Sequence, residues 1–352
     1  LRERRARSTL FSVKTLLTFL LCFPLAACAS SEKTVLVAGS DFQAQTDARG
    51  AATVREILNQ IKKDGYENID GFLFCGDYTT RLNNRRGESE SGISALKNAL
   101  FPARLGIEPH ELVLIQGNHD PVGTAGLAPS GDNDPAHRRY GVFVINEDDY
   151  MWYQGDRPTN GNPKISDDED TVRRAAENLD SYLNQKYKQK FSAPIFICSH
   201  LPLHYSMRTY HHGDARYAKH LLDVINRHAE NGLNIFFLYG HNHSNGWDNY
   251  LGGGRVFLPP GEKIPICVPE NSKRCKIREI AFTYMNAGYT GYVSTTDPND
   301  GADRTLSLSL FEIDADGNVT AKRYSPQGKC PLKAPGVPNT KNNNEESKLG
   351  LY

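Results

Sequence analysis

Glu111-Leu112-Val113-Leu114-Ile115-Gln116-Gly117-Asn118-His119-Asp120 is an apolar run that stops at a glycine and passes directly to three polar side chains. A short run of this kind, rich in leucine and β-branched residues, reads as a buried strand. The same design recurs along the chain. Thr34–Ala38 leads to Ser40-Asp41-Phe42-Gln43, Gly71–Cys75 to Gly76-Asp77, Pro194–Ser199 to His200, and Leu233–Tyr239 to Gly240-His241-Asn242-His243. Helical periodicity fills the gaps, at Ala48 to Lys63 (through Ala51, Val54, Ile57, Leu58 and Ile61), Ile93 to Phe101, Thr171 to Lys188 and Ala215 to Asn231. Alternation of strand and helix predicts parallel βαβ units with both sheet faces covered. In an open α/β sheet the ligand site lies outside the carboxyl ends of the strands, so the five polar endings converge on one place.

After Gly240 the helical pattern disappears, and Arg255–Leu258, Ile277–Met285, Thr290–Val293, Leu306–Ile313 and Val319–Tyr324 favour strands, with turn signals such as Asp316-Gly317-Asn318 between them. The reading is one α/β domain over 34–327 with two stacked sheets. Residues 121–190 form an insertion or cap, 250–327 are mainly β, and 328–352, rich in Pro, Lys, Asn and Glu, make a tail. Asn286-Ala287-Gly288-Tyr289 reads as a tight strand end returning to the site.

Over 352 residues, 41 Lys+Arg balance 41 Asp+Glu, and the mean hydropathy is -0.54, which excludes disorder and a membrane-embedded bulk. A chain of this length buries roughly 75% of the surface its unfolded form exposes, so a core forms without disulfides. No basic field marks nucleic acid as a partner, and none is expected. Residues 1–27 differ from the rest: Arg2, Arg4, Arg5, Arg7 and Lys14 precede the apolar run Thr15–Ala26, shorter than a membrane span, which is the pattern of an export signal. Its end, Leu25-Ala26-Ala27-Cys28, resembles a bacterial lipoprotein processing site. That resemblance implies Cys28 as the lipidated first residue of a membrane-anchored, extracytoplasmic protein with 28–33 as tether, the alternative being plain secretion. Cys75 and Cys198 end apolar runs and read as small buried hydrophobes. Cys267, Cys275 and Cys330 lie in polar sequence, where a Cys267–Cys275 bridge suits an oxidising compartment and leaves one thiol over.

Taken singly, each polar ending is a weak signal, since an Asp at a strand end is often just a turn residue or a helix cap. Taken together, the five resemble the blocks of the calcineurin-like metallophosphoesterase superfamily: Asp-x-His, Gly-Asp, Gly-Asn-His-Asp/Glu, a His after a later strand, and Gly-His-x-His. All five are present over residues 34–243, with Gln43 standing where the first block carries a His. The resemblance implies a four-layer α/β/β/α sandwich of two mixed sheets. It also implies a two-metal hydrolase of phosphate mono- or diesters that uses a hydroxide shared by the ions, with a small phosphorylated molecule as substrate.

Carried over position by position, the resemblance gives the first ion to Asp41, Gln43 and His243, the bridge to Asp77, and the second ion to Asn118, His200 and His241. His119 faces the substrate and protonates the leaving oxygen or stabilises phosphoryl charge, and Asp120 fixes its ring. Two divalent ions against two carboxylates and a hydroxide leave about one positive charge for an anionic ester. The mixed nitrogen and oxygen donors suit Mn, Fe, Zn or Co better than Mg or Ca. Gln43 offers a neutral amide oxygen in place of an imidazole, which weakens the first site.

His204 and Arg208 follow His200 on a loop that Pro202 keeps from being helical; they are expected to border the mouth of the site and contact substrate, Arg208 through a second phosphate or a carboxylate. Trp152 and Tyr153 either stack on a substrate ring or pack a long loop. The alternative of another class is a catalytically weak or inactive surface binding protein on the same fold. A 5'-nucleotidase-like enzyme needs a larger segment after Gly-His-x-His, and a purple acid phosphatase needs Tyr where this chain has Thr80.

Overall fold

In the computed structural model, which describes residues 33–43, 49–79, 86–101, 106–107, 111–121, 123–135, 139–146, 149, 152–153, 165–166, 169–204, 217–241, 257–268, 271–291 and 306–330, the run Thr34–Gly39 is strand β1 and alternates strictly. Val35 and Val37 enter one layer of the core, Leu36 and Ala38 another. A strand buried on both faces needs a partner layer on each side. On the first side lie α1 (Arg49–Lys63), which turns Val54, Ile57, Leu58 and Ile61 inward, and α2 (Arg86–Leu100). β2 (Gly71–Phe74) and β3 (Leu112–Leu114) continue the sheet in parallel from β1.

The second sheet begins with β4 (Gly131–Asp132) and β5 (Gly141–Ile145), which precede the small hairpin of β6 (Trp152–Tyr153) and β7 (Ile165–Ser166). α3 (Glu169–Lys188), β8 (Ile195–Ser199), α4 (Ala218–Glu230) and β9 (Ile235–Tyr239) follow. Helix α3 buries Val172, Ala176, Leu179 and Leu183, and α4 buries Leu221, Leu222 and Ile225, against the outer face of this sheet. The remaining elements are strands: β10 (Phe257–Leu258), β11 (Lys263–Val268), β12 (Asn271–Glu279), β13 (Thr283–Asn286), β14 (Gly288–Tyr289), β15 (Ser307–Ile313), β16 (Val319–Ser325) and β17 (Gly328–Cys330).

One sheet therefore runs β17-β16-β15-β1-β2-β3 with β14 beside β15, and the other β10-β13-β9-β8-β5-β4. Both are mixed: β1 pairs β2 in parallel and β15 antiparallel, while β5, β8, β9 and β13 are parallel with β4 and β10 antiparallel at the edges. Leu36, Leu73, Phe196, Leu238 and Phe311 fill the space between the sheets. The order of layers is helix, sheet, sheet, helix, the four-layer sandwich expected.

Three boundaries are corrected. Gly141–Ile145, placed in a cap, is an interior strand paired with β8. Helix α2 starts at Arg86 rather than Ile93, because its polar first turns carry the buried Ser89. Gly328–Cys330 belongs to the sheet as β17 and not to the tail. Cys75 and Cys198 are free, buried thiols between the sheets, as anticipated. Cys267 and Cys275 stand opposite each other in the register of β11 and β12. Cys28 and residues 331–352 lie outside the described residues, among which no helix is long and apolar enough to cross a membrane.

Candidate metal centre

Strands β1, β2 and β3 of one sheet and β8 and β9 of the other end at the same edge of the sandwich, which brings the polar endings together. Ligand atoms of Asp41, Asp77 and His200 all lie within 4.8 Å of one another, and all three residues are buried. Asn118 Oδ1 lies 2.9 Å from His200 Nε2 and 3.0 Å from His241 Nδ1, and the two imidazole rings sit 5.2 Å apart at 83°. His200 Nε2 is 3.3 Å from Asp77 Oδ2. The structure thus gathers Asp41, Asp77, Asn118, His200 and His241. Gln43 is buried on the same loop as Asp41 and donates its backbone N–H to the Asp77 carbonyl at 2.9 Å. His243 and Arg208 lie outside the described residues.

The backbone is bent to make this convergence. Asp41 (φ 53°), Gln43 (φ 44°), Asp77 (φ 62°) and His241 (φ 64°) occupy the left-handed region, which residues with a Cβ rarely enter. Such conformations persist where the surroundings over-determine them, and they cluster at functional sites. Here the strand ends are laced together: Asp41 N–H donates to the Gly76 carbonyl at 2.9 Å, and Gly240 N–H to the His200 carbonyl at 3.0 Å. Two glycines of the motifs have a steric reason. A Cβ on Gly117 would lie 2.3 Å from Asp77 Oδ1, and one on Gly240 would lie 2.9 Å from Asp41 Oδ2.

Electrostatics agree with a cation site. Burial works against the charge on Asp77, but His200 and His119 outweigh it and hold the carboxyl well below the usual carboxylate range. Burial likewise works against the His200 imidazolium, yet Asp77 and then Asp41 push it up to about 10. The carboxylates therefore set up a field that favours positive charge at this spot. His200 Nδ1 lies 2.7 Å from the Cys75 carbonyl, the outer hydrogen bond that orients a ligating imidazole and leaves Nε2 facing the carboxylates. Carboxylate, amide and imidazole donors gathered on this scale fit the binding of divalent metal.

His119 differs from its neighbours in reaching the surface, with its side chain 16% exposed and Nε2 3.7 Å from Asp77 Oδ2. Its backbone N–H donates to Asp77 Oδ1 at 2.9 Å. Asp120 is corrected: its carboxylate does not hold the His119 ring. It is fully buried and accepts from the backbone N–H groups of Asp77 (2.8 Å), Gly117 (2.9 Å) and Tyr78 (3.1 Å) and from Ser89 Oγ (3.0 Å). It staples the ends of β2 and β3 to α2. Burial, then the charge of Asp77, push its carboxyl up to about 7 against the pull of these hydrogen bonds.

His204 is corrected as well. It is fully buried, not at an open mouth, and its Nδ1 lies 2.7 Å from Tyr284 Oη, which also accepts the Leu203 N–H at 2.7 Å. Tyr284 thereby fixes the turn after His200. Neither Tyr284 nor Ser89 stands out in the sequence, since one reads as a strand aromatic and the other as a polar helix residue.

The profile of the calcineurin-like phosphoesterases matches residues 36–245. No curated protein matches the chain. Among solved structures, the chain is similar to a dimetal phosphatase from Danio rerio at 12% identity and a TM-score of 0.51, over 84% of this chain and 98% of that one. GAP50, the anchor in the inner membrane complex of Plasmodium, aligns at 12% identity and a TM-score of 0.43 over 91% and 95% of the two chains. The 5'-nucleotidase from Candida albicans aligns at 9% identity and a TM-score of 0.35 over 91% of this chain and 54% of that one. The likeness in the first case is one of fold.

Proposed function

Because the chain belongs to the calcineurin-like phosphoesterase family, we propose that it is an exported two-metal hydrolase of phosphate mono- or diesters. The observation that carries this reading is the buried meeting of Asp41, Asp77 and His200 with Asn118 and His241 at the ends of five strands. Two divalent ions, Mn, Fe, Zn or Co, would, when bound, supply Lewis acidity toward water and toward the phosphoryl oxygens. Asp41, Gln43 and His243 would hold one ion and Asn118, His200 and His241 the other, with the Asp77 carboxylate available to both. His119, at the exposed rim, holds at Nε2 the proton that the leaving oxygen needs. Asp120, by stapling the β2 and β3 ends, keeps Asp77 and Asn118 in place. Arg208 contributes a contact to a second anionic group of the substrate.

The test is turnover of p-nitrophenyl phosphate and of bis-p-nitrophenyl phosphate by the purified chain with Mn added. Metal-dependent turnover that chelation removes, and that Asp77→Asn abolishes, is the expected result. Full ion occupancy without turnover of either ester would leave a binding protein on the same fold. For location, the reading is a lipid anchor on Cys28 facing an extracytoplasmic space, where several acyl chains at about 0.8 kcal/mol per buried methylene give stable attachment. Fractionation of the wild type against Cys28→Ala decides it: wild type in the membrane and variant soluble is expected, and both soluble would leave plain secretion.

A further inference from the structure

Arg323 projects from β16 into the interior and is 4% exposed. Among the described residues its hydrogen bonds all go to neutral groups. Nε donates to Ser307 Oγ at 3.0 Å, Nη1 to the Asn286 carbonyl at 2.6 Å and to Ser309 Oγ at 3.3 Å, and Nη2 to Asn286 Oδ1 at 3.2 Å. A buried cation without an anionic partner is costly, and burial pushes this guanidinium down to about 10. An apolar side chain of similar length fills the same space without that cost. The arginine therefore calls for an explanation beyond packing.

What it grips is the place where the chain steps from one sheet to the other, between Asn286 at the end of β13 and Gly288 at the start of β14. The step is held further by Gly288 N–H to Asn286 Oδ1 at 3.1 Å, Ala287 N–H to the Tyr239 carbonyl at 2.8 Å, and Ser309 Oγ to the Ala287 carbonyl at 2.8 Å. Its far side meets the metal loop. Ser40 Oγ donates to the Gly288 carbonyl, and Thr290 N–H donates to the Ser40 carbonyl at 3.3 Å. Gly291 packs so closely that a Cβ there would lie 2.6 Å from the Asp41 carbonyl oxygen and 3.1 Å from Gln43 Cβ.

We propose that Arg323 is a positioning residue for the first ion: by clamping the Asn286–Gly288 step it seats Gly288 against Ser40 and so keeps Asp41 in the left-handed conformation that brings its carboxylate to Asp77 and His200. The inference rests on the reading of this centre as a two-ion site. Only a planar fork reaches both oxygens of Asn286 and both serine hydroxyls together, which is why lysine is not equivalent here.

The experiment is calorimetric titration of Mn2+ into metal-stripped wild type and variants, with circular dichroism melts to establish folding. Arg323→Met is expected to weaken the weaker of the two ions about 10–100-fold, the usual effect of losing an outer-shell partner, and to leave the tighter ion unchanged. Ser40→Ala, which cuts the same path at its other end, is expected to weaken the same ion. The double variant should be no worse than the more damaging single one, since both act through one path. Arg323→Lys should give a smaller loss at the same ion, and carries the comparison with Ser40→Ala should the methionine variant not fold. Wild-type affinities in both Arg323→Lys and Ser40→Ala, additive losses, or equal losses at both ions would overturn the proposal. A wild-type chain that takes up no Mn2+ overturns the two-ion reading itself, and this inference with it.

Discussion

His119 is the one residue of the described cluster that reaches solvent while its backbone is tied to the buried Asp77, so proton transfer and ion binding are separable in it. His119→Asn is expected to keep both ions, seen by calorimetry, and to lower kcat by about 10²–10⁴, the scale of a lost general acid. An ester whose leaving group departs without a proton should be spared; loss of the ions in this variant would refute the assignment. Asp120 makes the opposite prediction. Its four donors lose their acceptor in Asp120→Ala, and buried unsatisfied donors cost about 1–3 kcal/mol each, so a loss of about 3 kcal/mol or more is expected in a denaturant melt. An unchanged melt with a lowered kcat would return Asp120 to the role of ring partner for His119. That Asp41, Asp77, Asn118, His200 and His241 meet at one place was legible in the sequence because each follows an apolar run. The tasks of Asp120, His204 and Arg323 were not, because a polar residue looks the same in sequence whether its partners are backbone, tyrosine or water.

Between elements, the packing of α3 on α4 carries its own charge lock. Asp180 of α3 accepts from Arg227 and His228 of α4, with Oδ1 2.5 Å from Arg227 Nη2 and 2.6 Å from His228 Nε2. Burial raises the Asp180 pKa, but these two partners prevail and hold it below its ordinary 3.8. A carboxyl depressed in the folded state stabilises above its unfolded pKa and loses that contribution as pH falls through the folded one. Thermal melts should therefore fall more steeply below about pH 4 in the wild type than in Asp180→Asn, and most clearly at low salt because the pair is partly exposed. Equal slopes would remove the lock. Elements with clean periodicity, such as β1, β8, α1 and α3, could be read to within a few residues. β5 escaped because Gly141-Val142-Phe143-Val144-Ile145 sits among Gly, Pro and Asp, and its partner β8 is far along the chain. The start of α2 escaped because its first turns bury a serine rather than an aliphatic side chain.

Over the whole molecule, the two proposed ion sites would draw on unlike donors, since Gln43 would stand in for an imidazole at one of them alone. Two Mn2+ affinities of different strength are expected, with Gln43→His raising the weaker; two equal, tight affinities in the wild type would contradict it. Parallel βαβ order was legible as alternation, while the layering of two sheets depends on long-range pairings that no local pattern contains. β1 depends on one such pairing. Its partner on one side is β2, but on the other it is β15, with Thr34 opposite Ile313. The segment that matches the family ends at residue 245, so a chain cut there leaves β1 with an open hydrogen-bonding edge. Such a fragment is expected to aggregate and to show no cooperative melt; a soluble, cooperatively melting fragment would disprove it. In time rather than space, the strand that leads to Asp41 is made on the order of tens of seconds before β15 exists, at about 5–20 residues per second. The loop that carries Asp41 therefore cannot acquire its native surroundings until β15 has been made.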